Sequence, residues 1–304
     1  MKRKIAVLLV LLAIILLLVC GFKIWNHHSL YLCAKTTQGI DFDPMRKQDT
    51  QDNGRYPSAS DIDSDLALLE NKVHSVRTYS IMRGLDKIPA LAEKHHLTAI
   101  LGIWLNADFT QNRAELDTLK KTLRAQPAPN NIVGILVGNE SLLRNDLSEQ
   151  QLIDYVREAK QFATQPISTS EQFKEWMAHP KLVAEVDYIA VHLTPYWFDV
   201  TVDEGVALVF DQYAQLQKAY PNKPIVITEV GWPSEGQRVG KSIASPENQT
   251  TFLCKFMSRA EKEHLNYYIL EAFDQPSKLY LEGPAGAHWG VFDADRKVKY
   301  PIHL

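Results

Sequence analysis

The strongest constraint on the fold is a regular alternation of two kinds of segment along most of the chain. Eight short segments rich in aliphatic and aromatic residues alternate with longer segments whose apolar residues recur at helical spacing. Most of the short segments are apolar throughout, which indicates strands buried on both faces, as in a parallel sheet. The predicted strands are residues 38–42, 73–79, 98–104, 131–139, 166–169, 186–192, 224–229 and 267–273.

The segments between the strands predict seven helices. They cover residues 61–72, 82–96, 112–123 and 205–219, with further helices beginning at Ser148 and Ser245 and one containing Phe173 and Trp176. This order suits either an open doubly wound sheet or a closed (β/α)8 TIM barrel. No glycine-rich nucleotide-binding sequence follows the first strand, so we predict the barrel, with its last helix short or supplied by the C-terminal tail.

The N-terminus carries a separate signal. Three basic residues at positions 2–4 precede an uncharged apolar run over residues 5–22, which is at the short end of what spans a bilayer. The basic end should stay in the cytoplasm and the rest should cross the membrane. No small-residue cleavage site follows, and Val19 before Cys20 fits lipid attachment poorly. We therefore favour a retained signal anchor over a cleaved signal peptide or a lipoprotein.

The predicted organisation is then a transmembrane anchor at 1–22, a connector at 23–35 and a catalytic domain at 36–304. That domain would lie on the periplasmic or extracellular side and act as a monomer. The net charge of −3 gives no basic face for nucleic acid. Cys33 and Cys254 could form a disulfide in an oxidising compartment, but two unpaired thiols are the simpler interpretation.

The candidate site lies where the active sites of such barrels lie, at the C-terminal ends of the strands. Glu140 follows the apolar run at 132–137, and Glu229 ends the run at 224–227. Strands four and seven can place these carboxylates across the central cleft, as glycoside cleavage requires. Neither a metal-ligand cluster nor a phosphate loop is recognisable, so we expect no metal and no cofactor. Candidate substrate-binding residues near the same rim are Arg77, Tyr79, Trp104, Asn139, Tyr196, Trp232, Glu271, Lys278 and Trp289.

Each of these residues also has a simpler structural explanation. Glutamates at strand ends are often solvent-facing, and Arg77 with Glu271 could form an ion pair inside the barrel. Trp289 could be part of the core, and His192 could be a hydrogen-bonded imidazole at the end of strand six. The hypothesis of a sugar-cleaving site therefore depends on the residues occurring together in the correct order.

The motifs resemble glycoside hydrolase family 17, a member of clan A, over residues 39–300. The resemblance is carried by Gly-Asn-Glu at 138–140 and Thr-Glu-Val-Gly-Trp-Pro-Ser at 228–234. Val-Arg-Thr-Tyr at 76–79, Glu-Ala-Phe-Asp at 271–274 and His-Trp-Gly-Val-Phe at 288–292 support it. It implies retaining cleavage of β-1,3-glucan and, in several bacterial and fungal members, transfer of the glycosyl unit to another glucan.

The resemblance also implies roles for individual residues. Glu140 would be the acid/base, with a pKa raised by burial and by the charge of Glu229, the nucleophile. Asn139 would bind the 2-hydroxyl of the sugar being cleaved. Arg77, Tyr196 and Glu271 would orient the nucleophile, while Trp232 and Trp289 would be stacking platforms for sugar rings.

Several points stay open at this stage. The segment at 192–197 departs from the plant-type sequence of the family, and the short loops indicate a compact bacterial-type member. Whether water or another sugar completes the reaction is not decided. A non-catalytic glucan-binding barrel and a clan A enzyme for another β-glycan are the alternatives.

Overall fold

Eight parallel strands form a closed barrel in the computed structural model, which describes residues 37–47, 49, 54–125 and 129–299. Gly39 and Ile40 on the first strand pair with Tyr268 and Ile269 on the last, which closes the sheet. The predicted (β/α)8 barrel is therefore confirmed, and an open doubly wound sheet is excluded. The strands are β1 (Thr37–Asp41), β2 (Val73–Arg77), β3 (Thr98–Ile103), β4 (Ile132–Asn139), β5 (Ile167–Gln172), β6 (Ile189–Leu193), β7 (Ile225–Val230) and β8 (Asn266–Ile269).

Helices follow the strands and pack on the outside of the barrel. Two short helices follow β5, and the helix after β8 has only four residues, as the prediction of a short last helix allowed. The helices of the described residues are α1 (Ala59–Leu69), α2 (Ile88–Lys94), α3 (Phe109–Leu123), α4 (Glu149–Lys160), α5 (Phe173–Ala178), α6 (Pro180–Glu185), α7 (Val202–Ala219), α8 (Pro246–Lys262) and α9 (Leu279–Glu282).

Capping side chains explain where several helices begin. Ser148 accepts a hydrogen bond from the backbone N–H of Gln151, whose side chain bonds back to the Ser148 backbone. This capping box satisfies backbone donors that have no partner within the helix. Ser245 caps α8 in a similar way, with Pro246 in its first turn. Both starts were predicted from these residues.

A small apolar cluster fills the barrel interior, apart from the larger core between strands and helices. Its members come from five strands or their N-terminal ends: Ile100, Leu136, Tyr188, Ala190 and Tyr268, with Val226 against them. A cavity of about 550 Å³ opens at the N-terminal end of the strands, beside Tyr188 and Asn266. Neither Glu140 nor Glu229 lines this cavity, so the candidate active site lies at the other end of the barrel.

Two elements differ from their predicted bounds. β5 runs to Gln172, whereas its polar end was predicted to be loop beyond residue 169. Ser170 and Gln172 form hydrogen bonds with polar groups of the site, and these bonds are long-range contacts that local composition does not reveal. The helix after β2 was predicted to begin at residue 82 but begins at Ile88. Arg83 and Gly84 both adopt positive φ, so neither can be part of a regular α-helix.

The predicted anchor at 1–22 and the connector at 23–35 lie outside the described residues. Among the helices that the structure does describe, none combines the length and apolar character needed to cross a bilayer. Cys254 is disulfide-bonded, so the prediction of an unpaired thiol is wrong for this residue. Cys20 and Cys33 both lie outside the described residues.

Candidate active site

Arg77 is the centre of the polar cluster at the C-terminal end of the barrel. Its Nη1 atom donates to Glu229 Oε1 at 2.8 Å and lies 3.4 Å from Asp41 Oδ1. Its Nη2 atom donates to Asn139 Oδ1 and, at 3.0 Å, to Ser170 Oγ. One buried guanidinium therefore connects the ends of β1, β2, β4, β5 and β7. The alternative in which Arg77 pairs with Glu271 is wrong.

Asn139 presents its amide nitrogen to the cleft, because its amide oxygen is already bound by other side chains. Arg77 and Ser170 both donate to Asn139 Oδ1, the latter at 3.1 Å. The oxygen of the amide is thereby occupied, and the NH₂ group is the part of the side chain left to meet a ligand. A hydroxyl oxygen is the kind of acceptor that such a donor needs.

Glu140 sits on a strained turn directly after β4. Its φ is +54°, a left-handed conformation that non-glycine residues adopt rarely, and Gly138 two residues earlier has φ of +97°. The turn is held because the Glu140 N–H donates to Ser170 O at 2.7 Å and the Arg144 N–H donates to Glu140 O at 2.9 Å. These contacts direct the Glu140 side chain toward the cleft, where 21% of it is exposed.

The two glutamates meet across the cleft, with His192 of β6 between them. His192 Nδ1 lies 2.8 Å from Glu140 Oε1 and 3.4 Å from Glu229 Oε2, and the imidazole is fully buried. One oxygen of each carboxylate and a ring nitrogen of His192 all lie within 4.8 Å of one another. Carboxyl groups about 5 Å apart are typical of retaining glycosidases, whereas inverting enzymes need roughly 6.5–9.5 Å.

The protonation of Glu140 differs from the sequence-based expectation. Burial would raise its pKa, but the hydrogen bonds from His192 and Gln172 and the charge of Arg144 lower that pKa below its ordinary value. The expected rise in the pKa of Glu140 is therefore wrong for this arrangement of side chains. Gln172 Nε2 donates to the same Oε1 atom at 2.7 Å, so a transferable proton on Glu140 belongs on Oε2.

Glu271 and Lys278 form their own ion pair beside this cluster. Lys278 Nζ lies 3.0 and 2.9 Å from the two carboxylate oxygens of the fully buried Glu271. Burial raises the pKa of Glu271, and Lys278 opposes the rise. Lys278 also lies 5.5 Å from the ring centroid of Tyr79, which Arg77 covers at 4.2 Å. Glu271 thus orients Lys278 and has no direct contact with the nucleophile among the described interactions.

Three buried polar atoms in the cluster have no hydrogen-bond partner among the described residues. They are Tyr79 Oη, Asp41 Oδ2 and Arg77 Nε. Burial raises the pKa of Tyr79, with Asp41 and Glu229 adding to the rise, so its hydroxyl stays a neutral donor. Burial likewise raises the pKa of Asp41, although Arg77 lowers it. Unpaired buried groups are rare in folded proteins and concentrate at functional sites.

The predicted aromatic platforms lie elsewhere. Trp232 and Trp289 are fully buried, so neither offers a face to a sugar; both predictions are wrong. The two rings pack edge-to-face against Tyr196, whose hydroxyl donates to the backbone of Gln237 rather than orienting Glu229. These residues form a wall behind β6, β7 and β8. The rings are therefore used for packing inside the protein.

Trp104 remains at the rim but is partly covered. The Arg144 guanidinium lies 4.3 Å from the Trp104 ring centroid and also donates to Leu105 O at 2.8 Å. Arg144 donates to Asn139 O as well, so it links the loops after β3 and β4. The ring is half-buried and leaves part of its surface at the cleft.

Sequence reasoning missed several residues that contact this cluster. Asp41, Ser170 and Gln172 were not among the candidates, and His192 was treated as an ordinary strand-end imidazole. Glu171 was missed too: it is buried and accepts hydrogen bonds from the backbone N–H groups of Leu142 and Leu143 at 2.9 and 3.4 Å, beyond the Glu140 turn. A usable signal was the run of polar residues at the end of β5, because strand ends line the cleft in this fold.

The trio of Glu140, His192 and Glu229 has the composition of a metal site, but its surroundings disfavour a cation. The Arg77 guanidinium bonds to Glu229 at 2.8 Å and lies 3.5 Å from His192 Nε2. A metal ion would face this fixed positive charge at close range. The trio is better described as two carboxylates that share hydrogen-bond donors.

The fold and the site together are those of (β/α)8 glycoside hydrolases, in which two carboxylates meet at one rim of the barrel. The sequence matches the BtgE/BtgC glycoside hydrolase domain over residues 39–290. The chain belongs to this family. The predicted membership of a glycoside hydrolase family is therefore confirmed.

Curated relatives and solved structures agree with this assignment. The chain is 27% identical to the probable glucan endo-1,3-beta-glucosidase btgC of Aspergillus fumigatus over 90% of its length, and spans 44% of that relative. It is 24% identical to the glucan 1,3-beta-glucosidase of Saccharomyces cerevisiae, covering 82% of this chain and 87% of the yeast protein. An active-site mutant of Rhizomucor miehei beta-1,3-glucanosyltransferase in complex with laminaritriose superimposes with a TM-score of 0.78 at 26% identity, covering 88% of this chain and 96% of that one.

Proposed function

We propose that this protein cleaves β-1,3-glucan with retention of configuration, by double displacement. The observation that carries the proposal is the approach of Glu140 and Glu229: one oxygen of each carboxylate lies within 4.8 Å of the other. That separation suits direct attack by one carboxylate and is shorter than the separation typical of inverting enzymes. The names of the relatives support β-1,3-glucan as the substrate: they include a probable glucan endo-1,3-beta-glucosidase, a glucan 1,3-beta-glucosidase and a beta-1,3-glucanosyltransferase.

In the first step, a carboxylate oxygen of Glu229 attacks the anomeric carbon and the bond to the leaving sugar breaks. Glu140 gives its proton, from Oε2, to the leaving oxygen. Arg77 holds Glu229 in place, and the NH₂ group of Asn139 donates to an acceptor such as the sugar 2-hydroxyl. Tyr79 Oη and Asp41 Oδ2, both buried without partners, are suited to pair with further hydroxyls.

In the second step, a hydroxyl oxygen attacks the anomeric carbon and Glu229 leaves as a free carboxylate. Glu140 accepts the proton of the attacking group. Water gives hydrolysis, whereas the hydroxyl of a second glucan chain gives transfer. Both outcomes use the same covalent intermediate, so the ratio depends on which acceptor occupies the cleft.

We also propose that residues 1–22 anchor the barrel to a membrane and that the barrel acts as a compact, bacterial-type monomer outside the cytoplasm. The apolar run after three basic residues supports the anchor. The disulfide at Cys254 supports an oxidising compartment. Extraction of membranes from cells with alkaline carbonate tests the anchor, since release of the full chain into the supernatant would contradict it.

The proposed activity is tested with laminari-oligosaccharides. We expect the wild-type protein to give shorter products, and longer ones where transfer occurs. Glu229→Gln keeps the shape of the side chain but removes the nucleophile, so activity should fall about 10³- to 10⁵-fold while binding persists. Unchanged oligosaccharides with the wild-type protein would favour a non-catalytic glucan-binding barrel instead.

A second comparison separates β-1,3-glucan from other β-glycans. The protein is incubated in parallel with laminari-, cello- and manno-oligosaccharides of equal length. Faster cleavage of cello- or manno-oligosaccharides would contradict the proposed specificity and leave the retaining mechanism intact. The anomeric configuration of the first product, followed by NMR, reports retention directly.

A further inference from the structure

The imidazole of His192 has a hydrogen on Nδ1 because of what that atom faces. Nδ1 lies 2.8 Å from Glu140 Oε1 and 3.4 Å from Glu229 Oε2, and an ionised carboxylate can only accept a hydrogen bond. Nε2 lies 3.5 Å from Arg77 Nη2, whose two hydrogens already go to Asn139 Oδ1 and Ser170 Oγ.

The single hydrogen on Nδ1 has two acceptors within reach. Glu140 Oε1 lies at 2.8 Å and Glu229 Oε2 at 3.4 Å. Hydrogen bonds to an ionised carboxylate are stronger than those to a neutral carboxyl group. The hydrogen bond should therefore follow the negative charge as it moves between the two glutamates.

We propose that His192 is a positioning residue that passes one hydrogen bond between the two catalytic glutamates during turnover. While Glu140 carries its proton, Nδ1–H donates to Glu229. Once Glu229 is esterified by the glycosyl unit and uncharged, Nδ1–H donates to Glu140. The N–H bond itself never breaks, so the protons balance as in the two steps above. The inference deepens the proposed function and rests on it.

Other donors make this exchange feasible. Gln172 donates to Glu140 Oε1 at 2.7 Å, and Arg77 donates to Glu229 Oε1 at 2.8 Å. Each carboxylate therefore keeps one fixed donor, and His192 supplies a second to whichever is ionised. In the structure Nδ1 lies closer to Glu140 than to Glu229, which is the hydrogen bond that the proposal assigns to the second step.

The charged groups around His192 come from several elements. Glu140 follows β4, Glu229 is on β7 and Arg77 is on β2, all within 3.5 Å of a ring nitrogen. Further charged or titratable groups of the site are Asp41 on β1, Tyr79 after β2, Arg144 after β4, Glu171 on β5, and Glu271, Lys278 and Glu282 after β8. Among the described contacts, His192 Nδ1 is the donor that lies within 3.5 Å of both Glu140 and Glu229.

The test is the pH profile of kcat/KM on laminari-oligosaccharides for the wild type, His192→Ala and His192→Asn. Loss of the donor in His192→Ala destabilises the ionised Glu229 of the free enzyme, so the acidic limb should move to higher pH by about one unit. The alkaline limb should stay in place, because the one hydrogen serves a carboxylate both before and after Glu140 ionises. Asn places an amide N–H near the position of Nδ1, so His192→Asn should restore much of the wild-type profile. His74→Ala, exposed at the opposite end of the barrel, should leave the profile unchanged.

A lower kcat in His192→Ala with the acidic limb in its wild-type position would overturn the inference. NMR of the wild-type protein with ¹⁵N-labelled histidine tests it without a variant. A hydrogen on Nδ1 of His192 supports the inference, and a neutral ring with its hydrogen on Nε2 contradicts it. An inactive wild-type protein would instead contradict the proposed function, while the tautomer would still report on the hydrogen-bond geometry.

Discussion

At the scale of residues, the site works because single side chains serve several partners at once. Arg77 reaches Glu229, Asn139 and Ser170, and Arg144 reaches two backbone carbonyls and the Trp104 ring. A guanidinium can do this because its five N–H donors lie in one rigid plane. The positions of the nucleophile and of Asn139 are therefore coupled through one residue.

Arg77→Lys should impair catalysis strongly, although the substitution keeps the positive charge. An ammonium group cannot span Glu229 and Asn139 together, so the nucleophile and the 2-hydroxyl donor lose their common support. We expect kcat to fall by roughly 10²- to 10³-fold, measured on laminari-oligosaccharides. Arg113→Lys is the matched control, because Arg113 pairs with Glu158 at the surface, where ion pairs contribute little. Equal activity in both variants would contradict the role of Arg77.

At the scale of elements, close contacts between strand ends set the width of the site. Gly231 follows β7 two residues after Glu229, and a Cβ atom there would lie 2.5 Å from Leu270 O. The backbone of Leu270 belongs to the segment that joins β8 to Glu271. Any side chain at position 231 has to push these strand ends apart.

Gly231→Ala should therefore lower kcat by about tenfold or more, because displacement of the β7 end moves the nucleophile. The melting temperature should fall by only a few degrees, since the rest of the barrel keeps its packing. Gly54→Asn is the control: its φ of +66° lies in the left-handed region that asparagine tolerates, and its Cβ would meet nothing within 4 Å. A wild-type kcat in Gly231→Ala would contradict this prediction, because it would show that the ends of β7 and β8 can accommodate the Cβ without moving the nucleophile.

β5 shows why an element could be predicted and its role missed. Ile167 gives it a recognisable start, but Ser168, Thr169, Ser170 and Glu171 are all fully buried as well. Polar residues normally indicate a solvent-exposed loop, because burying them without partners is unfavourable. Here the partners come from β4, β6 and the loop after β4, which no local pattern reports.

At the scale of the whole molecule, buried carboxyl groups should make stability fall as pH rises. Burial raises the pKa of Glu115 to about 7 and that of Glu171 to about 8, from an ordinary value of 4.5. Between pH 4.5 and 8 the folded protein therefore binds more protons than the unfolded chain. The free energy of unfolding then decreases with increasing pH. Glu140 acts in the opposite sense, but only below its ordinary value of 4.5.

We expect the melting temperature to fall by roughly 3–8 °C from pH 5 to pH 8 at constant ionic strength, followed by differential scanning calorimetry. Glu115→Gln cannot ionise and should reduce the fall, because one of the buried glutamates with a raised pKa no longer titrates. A melting temperature that is constant or rises over this interval would contradict the protonated state of the buried glutamates.

The sequence by itself determined the barrel, the two glutamates and the family. Eight buried apolar strands alternating with helices leave few folds, and residues that end those strands have to meet at one rim. Trp232 and Trp289 were misplaced, because an aromatic side chain looks the same in sequence whether it packs in a wall or meets a sugar. Only the tertiary structure decided this, since burial depends on neighbours from distant elements.

The same reason applies to the chemistry between the glutamates. The sequence indicated that Glu140 and Glu229 act on one bond, but their separation depends on how β4 and β7 close around β5 and β6. The imidazole of His192 comes to lie between them only in the closed barrel. Its two hydrogen-bond distances, and with them the protonation of Glu140, are properties of three strands brought together rather than of any one segment.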